Sequence, residues 1–102
     1  MADEARLTFP AGHPAFPGHF PGDPIVPGAL LLDEALAALC AARSLPYESL
    51  HVASAKFLRP VRPGQEVTVR WRDSGPDLLD LGLFTADRPV ATATVSSRLS
   101  PP

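Results

Sequence analysis

From Gly28 to Arg43 the chain reads Gly-Ala-Leu-Leu-Leu-Asp-Glu-Ala-Leu-Ala-Ala-Leu-Cys-Ala-Ala-Arg, with charge only at Asp33, Glu34 and Arg43. Ala and Leu are the strongest helix formers. Pro27-Gly28 marks the start, Arg43 suits the negative end of the dipole, and Pro46 blocks continuation. A helix that is apolar nearly all round is expected to be buried nearly all round. The 102 residues fit one domain spanning 1–102. In so small a domain, that burial means one central helix wrapped by the rest of the chain.

Residues 50 to 99 are expected to supply the wrapping. Val67, Val69 and Trp71 alternate with Thr68, Arg70 and Arg72, the pattern of a strand with one wet face. Leu79, Leu81 and Leu83 alternate likewise, as do Ala91, Ala93 and Val95 within Val90 to Leu99; Leu50 to Arg59 is a fourth candidate. Arg62-Pro63-Gly64, Ser74-Gly75-Pro76 and Asp87-Arg88-Pro89 punctuate these runs. Such short connections favour antiparallel pairing. A short strand near Leu7 to Phe9 completes the set. The expectation is an α+β fold, a curved antiparallel sheet around one buried helix. A parallel sheet is excluded, because the crossover helices it needs are missing.

Residues 10 to 28 alternate prolines with Gly12, Gly18, Gly22 and Gly28. Neither a helix nor a central strand tolerates this density of proline. A stiff, irregular loop is expected, packed through Phe16, Phe20, Ile25 and Val26 rather than disordered.

Composition narrows the function. Hydrophobic residues make up 45% and charged residues 20%, the balance of an ordinary globular protein. A net charge of −2 argues against a nucleic-acid partner. The single cysteine, Cys40, excludes an intrachain disulfide and reads as a small buried hydrophobe. The N-terminus is charged with no apolar stretch after it, and the longest apolar run, Ala35 to Ala42, is far short of a membrane span. A cytoplasmic protein without a signal peptide is the expectation. No metal-ligand spacing, phosphate loop or dinucleotide fingerprint occurs, so neither metal nor cofactor is expected.

Three residues carry the candidate chemistry. His19, in the stiff loop, can accept and donate a proton near neutral pH; the plain alternative is a turn histidine satisfying a carbonyl. Asp33 lies about one and a half turns into the helix. On so apolar a helix it is suited to acid–base work, unless it or Glu34 merely faces solvent. The Gly28 amide stands at the positive end of the helix, where it can bind a developing oxyanion; the alternative is a simple helix-start glycine. His13 and His51 carry less weight.

The run His19-Phe20-Pro21-Gly22-Asp23-Pro24-Ile25-Val26-Pro27-Gly28 through Asp33 closely resembles the active-site segment of the 3-hydroxyacyl-acyl-carrier-protein dehydratases. That pattern is His-Phe-x-Gly-x-Pro-x-x-Pro-Gly, with a helical carboxylate fourteen residues after the histidine, as Asp33 is here. A second match, Lys56-Phe57-Leu58-Arg59-Pro60-Val61-Arg62-Pro63-Gly64, resembles the family's Phe-x-x-Pro-Val-x-Pro-Gly strand and turn. The resemblance covers roughly residues 10 to 99. It implies a hot-dog fold and dehydration of 3-hydroxyacyl thioesters. His19 would take the proton from C2, Asp33 would protonate the departing hydroxyl, and the Gly28 amide would polarise the thioester carbonyl. Phe20, Pro27 and Phe57 would contact substrate, and the acyl chain would lie in a tunnel.

The resemblance also implies acyl carrier protein as a partner, with Arg59 and Arg62 as its dock and Lys56, Arg70 and Arg72 as further basic candidates. It implies a homodimer, or a heterodimer with another hot-dog subunit, whose sites join the histidine of one chain to the carboxylate of the other. Three departures stand out. Asp33 belongs to the branch that also isomerises the double bond, whereas Pro21 belongs to the Glu branch. The family's glutamine four residues after the acid is Ala37 here. Eighteen residues precede His19, which implies that the usual N-terminal strand is missing. Alternative readings are a non-catalytic hot-dog subunit, a hot-dog thioesterase, and a small-ligand-binding domain.

Overall fold

The computed structural model describes residues 3–10 and 25–97. Within them the chain runs through β1 (Glu4–Thr8), α1 (Gly28–Arg43), one turn of 3-10 helix (Tyr47–Ser49), β2 (Leu50–Phe57), β3 (Glu66–Gly75), β4 (Leu78–Thr85) and β5 (Arg88–Ser97). The strands form one sheet in the order β1-β3-β4-β5-β2, and every neighbouring pair is antiparallel. One helix thus packs on a curved antiparallel sheet, the α+β arrangement expected.

The period-2 residues land where alternation places them. Val67, Val69 and Trp71, then Leu79, Leu81 and Leu83, then Ala91, Ala93 and Val95 are all buried. Register carries them across the sheet in rows, such as Val69 opposite Leu83, and Leu83 opposite Ala91. Leu31, Ala35, Leu36, Leu39 and Cys40 of α1 seal this face. Each fully buried Leu contributes about 1.5–3 kcal/mol relative to exposure.

Several expectations change. The N-terminal strand is present and begins earlier than Leu7, because Glu4 to Thr8 pairs with Arg70 to Glu66 of β3. Strand β3 runs to Gly75, beyond the alternating stretch, while β2 ends at Phe57. The helix is not buried all round: Ala29, Asp33, Ala37 and Ala41 are exposed, in a stripe of four-residue steps. The reason is width. Five strands span roughly 19 Å, and one helix about 10 Å, so a single helix cannot cover the sheet. Val52, Ala55 and Phe57 of β2 stand opposite the buried Val95, Ala93 and Ala91. All three are nevertheless exposed. Strand β2 has no partner on its outer edge among the described residues.

Candidate active site

Proline and glycine set the start of α1. Pro27 is the N-cap, with extended backbone and no side-chain cap. The first turn closes with the Leu31 amide donating to the Pro27 carbonyl at 3.0 Å. The segment before the helix is anchored by the Val26 amide, which donates to the Val61 carbonyl at 2.7 Å. This bond joins the two sequence matches, since Val26 belongs to one and Val61 to the other.

The Gly28 position is tight for a side chain, because the Phe57 ring lies against it. A Cβ there would lie 3.1–3.3 Å from three atoms of the Phe57 ring. Around this contact lies an open cavity of about 410 Å³, whose lining includes Ile25, Val26, Gly28, Leu31, Phe57 and Arg59. Its wall is mostly apolar, with the positive end of α1 at one side and the Arg59 guanidinium at another. The Arg59 guanidinium donates to the Pro89 carbonyl, near the start of β5, at 3.0 Å. Such a pocket suits an acyl chain that ends in one polar, electron-accepting group.

Of the residues singled out in the sequence, Gly28, Phe57 and Arg59 meet at this cavity, and Pro27 adjoins it as the helix cap. Arg62 lies in the following loop, where its amide donates to the Gln65 side chain at 2.8 Å. Arg70 and Arg72 stand elsewhere, on β3. Arg70 pairs with Glu4 at 3.5 Å and Asp87 at 3.6 Å and lies over the Phe84 ring; Arg72 pairs with Asp80 at 4.0 Å. His19 and Phe20 lie outside the described residues.

Asp33 is not in the cavity of its own chain. It sits on the open stripe of α1, and the Tyr47 hydroxyl donates a hydrogen bond to its Oδ1. That hydrogen bond first, and partial burial second, push the Tyr47 phenol above its ordinary pKa of 10.0. Tyr47 therefore stays a donor across the physiological range. Sequence reasoning missed this residue. Its signal was faint: the chain's single tyrosine, placed directly after Pro46, which ends the helical run. Cys40 is buried as expected, and burial, with Glu48 second, raises its thiol above 9.0. Among the described residues, no helix is long and apolar enough to cross a membrane.

Comparison with known proteins matches this geometry to relatives. The family model described as ApeI dehydratase, ApeI-like, matches residues 2–93. A 3-hydroxyacyl-acyl-carrier-protein dehydratase FabZ of Koribacter versatilis is 37% identical over 100 residues, covering 84% of this chain and 63% of that protein. The chain spans less than two thirds of the length of the curated relatives it matches.

Among solved structures, the dehydratase heterocomplex ApeI:P from Xenorhabdus doucetiae aligns with a TM-score of 0.68 at 23% identity, covering 93% of this chain and 86% of that one. An (R)-hydratase from A. caviae involved in PHA biosynthesis aligns with a TM-score of 0.55 at 27% identity, covering 93% and 94%. The fold is the hot-dog fold, and the chain belongs to the ApeI-like dehydratase family.

Proposed function

We propose that this protein eliminates water from (3R)-3-hydroxyacyl thioesters on acyl carrier protein, giving the trans-2-enoyl thioester. His19 removes a proton from C2, the electrons form the C2=C3 bond, and Asp33 protonates the hydroxyl as it leaves C3. The Gly28 amide hydrogen-bonds the thioester carbonyl, where negative charge builds as C2 loses its proton. Phe57 and Pro27 flank the acyl chain, with Phe20 joining them. Arg59, which lines the cavity, and Arg62, in the loop that follows, meet the acidic carrier. The relationship to a FabZ dehydratase and the likeness to an (R)-hydratase, which catalyses the reverse type of reaction, support this chemistry.

The observation that carries the reading is the position of Asp33. It is exposed and does not line its own chain's cavity, it stands on a stripe of α1 that is otherwise alanine, and β2 has an open outer edge among the described residues. An acid placed there serves a cavity completed by a second hot-dog subunit. Small side chains on the stripe let such a subunit approach closely, and the open strand edge offers it backbone hydrogen bonds. The site is thus proposed to join His19 of one chain to Asp33 of another.

The test is a mass-spectrometric assay of purified protein with short 3-hydroxyacyl chains on acyl carrier protein, beside Asp33→Asn and His19→Ala. The expected result is loss of one water from the substrate with the wild type only. Ala37 in place of the family's glutamine favours one other reading, a non-catalytic subunit that completes a partner's tunnel. Carrier binding without water loss at any chain length would select it.

A further inference from the structure

Asp33 needs a fixed carboxylate if one oxygen is to meet a substrate hydroxyl. In the resembled family a glutamine one helical turn later holds it, and Ala37 has no polar atom to do so. Yet Oδ1 of Asp33 is engaged, by a hydroxyl that reaches it from outside the helix. Resting on the function proposed above, we propose that Tyr47 is the positioning residue for the catalytic acid, supplying from the turn after α1 the donor that position 37 lacks.

The backbone is built for this task. Ser44 takes a left-handed conformation with φ 55° and ends α1. The Leu45 amide donates to the Cys40 carbonyl at 3.0 Å, folding the chain back beside the helix. Pro46 then caps the 3-10 turn Tyr47–Ser49. The Ser49 amide and hydroxyl both donate to the Pro46 carbonyl, at 3.0 and 2.7 Å. A phenol on so short and pinned a turn has two side-chain torsions to restrain, fewer than the three of a glutamine. With Oδ1 held by Tyr47, Oδ2 is left for the substrate. Tyr47 touches no reacting atom in this scheme; it acts through Asp33.

Tyr47 is the chain's single tyrosine, so its ionisation is readable without ambiguity from phenolate absorbance. The first measurement is a spectrophotometric titration of the wild type and Asp33→Ala. The phenol is expected to ionise at lower pH in the variant, because both the hydrogen bond and the carboxylate charge are lost. Identical titrations would overturn the contact.

The second measurement compares kcat and KM for the wild type, Tyr47→Phe, Asp33→Asn and the double variant Tyr47→Phe/Ala37→Gln, with melting curves for each. Tyr47→Phe is expected to lower kcat by about ten- to a hundredfold, the scale of a misplaced catalytic group, with KM and melting temperature little changed. A glutamine at 37 lies one turn from Asp33, where Gln and Asp side chains hydrogen-bond, and is expected to recover much of the lost kcat. Full activity of Tyr47→Phe beside an inactive Asp33→Asn would overturn the positioning role and leave the proposed function standing. Full activity of Asp33→Asn would overturn both. A wild type without turnover would remove the catalytic half, while the titration still decides the contact.

Discussion

At the scale of single residues, the cavity depends on what is absent at position 28. A methyl group there would press on the Phe57 ring at 3.1–3.3 Å. Phe57 is 50% exposed, so its ring can give way. Gly28→Ala is therefore expected to change stability by less than about 1 kcal/mol and yet, under the proposed function, to raise KM, because the displaced ring would narrow the acyl path. Thermal melting and steady-state kinetics on one preparation check this; a large stability loss with unchanged KM contradicts it. Cys40 makes a second residue-level case. Its thiol is buried and its pKa is raised, first by burial and then by Glu48. The neutral thiol is the poor nucleophile. Native protein at pH 8 is expected to resist a thiol reagent and to react fully once unfolded in guanidinium. Rapid labelling of the native state would show that the α1 face opens.

Elements are held by their ends as much as by their faces. Strands β4 and β5 join through Ala86 and Asp87, with φ of 47° and 65°. Two positive φ values in a two-residue loop mark the tight hairpin turn that favours Asn-Gly. Alanine in this region costs roughly 1–2 kcal/mol relative to its preferred conformations. Ala86→Gly relieves that strain and loosens the unfolded chain, for a net gain expected at a few tenths to about 1 kcal/mol. Chemical denaturation measures it, and a loss of stability would contradict the strained-turn reading. The opposite extreme is Leu39, fully buried at the centre of α1's packed face. Leu39→Ala is expected to cost about 2–5 kcal/mol by the same measurement.

The whole molecule is wider than its one helix covers. Val52 is 43%, Phe57 50% and Leu58 46% exposed, all in or just after the strand with the open edge. Apolar groups of this size at an open edge suit a second subunit. Under the proposed function, purified protein is expected to sediment at twice the chain mass, and Val52→Lys to shift it towards the monomer by placing a charge in the seam. A wild-type monomer that doubles only on adding a second hot-dog chain would make the assembly a heterodimer. The alanine stripe, which looked in the sequence like evidence for full burial, is exposed in the fold, and under the proposed function it is the face kept low for a neighbour.

Much of this protein is set by patterns local to the chain. The helix from Gly28 to Arg43, the alternation in β3, β4 and β5, and the turns between them follow from propensity and period. Neighbouring residues decide most of these properties; the structure agrees with the helix and the alternation, but moves two of the turns by a residue or two, since Ser74 and Gly75 belong to β3 and Arg88 and Pro89 to β5. The contact between Gly28 and Phe57 was half legible, because both lie in recognisable motifs, but nothing local brings the two motifs together. That is done by the Val26–Val61 hydrogen bond and by the placing of β2 beside β5. The Tyr47–Asp33 bond was not legible at all. It spans fourteen residues and depends on a left-handed Ser44 that turns the chain back on its own helix. Which side of α1 stays open was likewise decided only in three dimensions, because an Ala-rich helix has no strong polar face and the width of the sheet chooses for it.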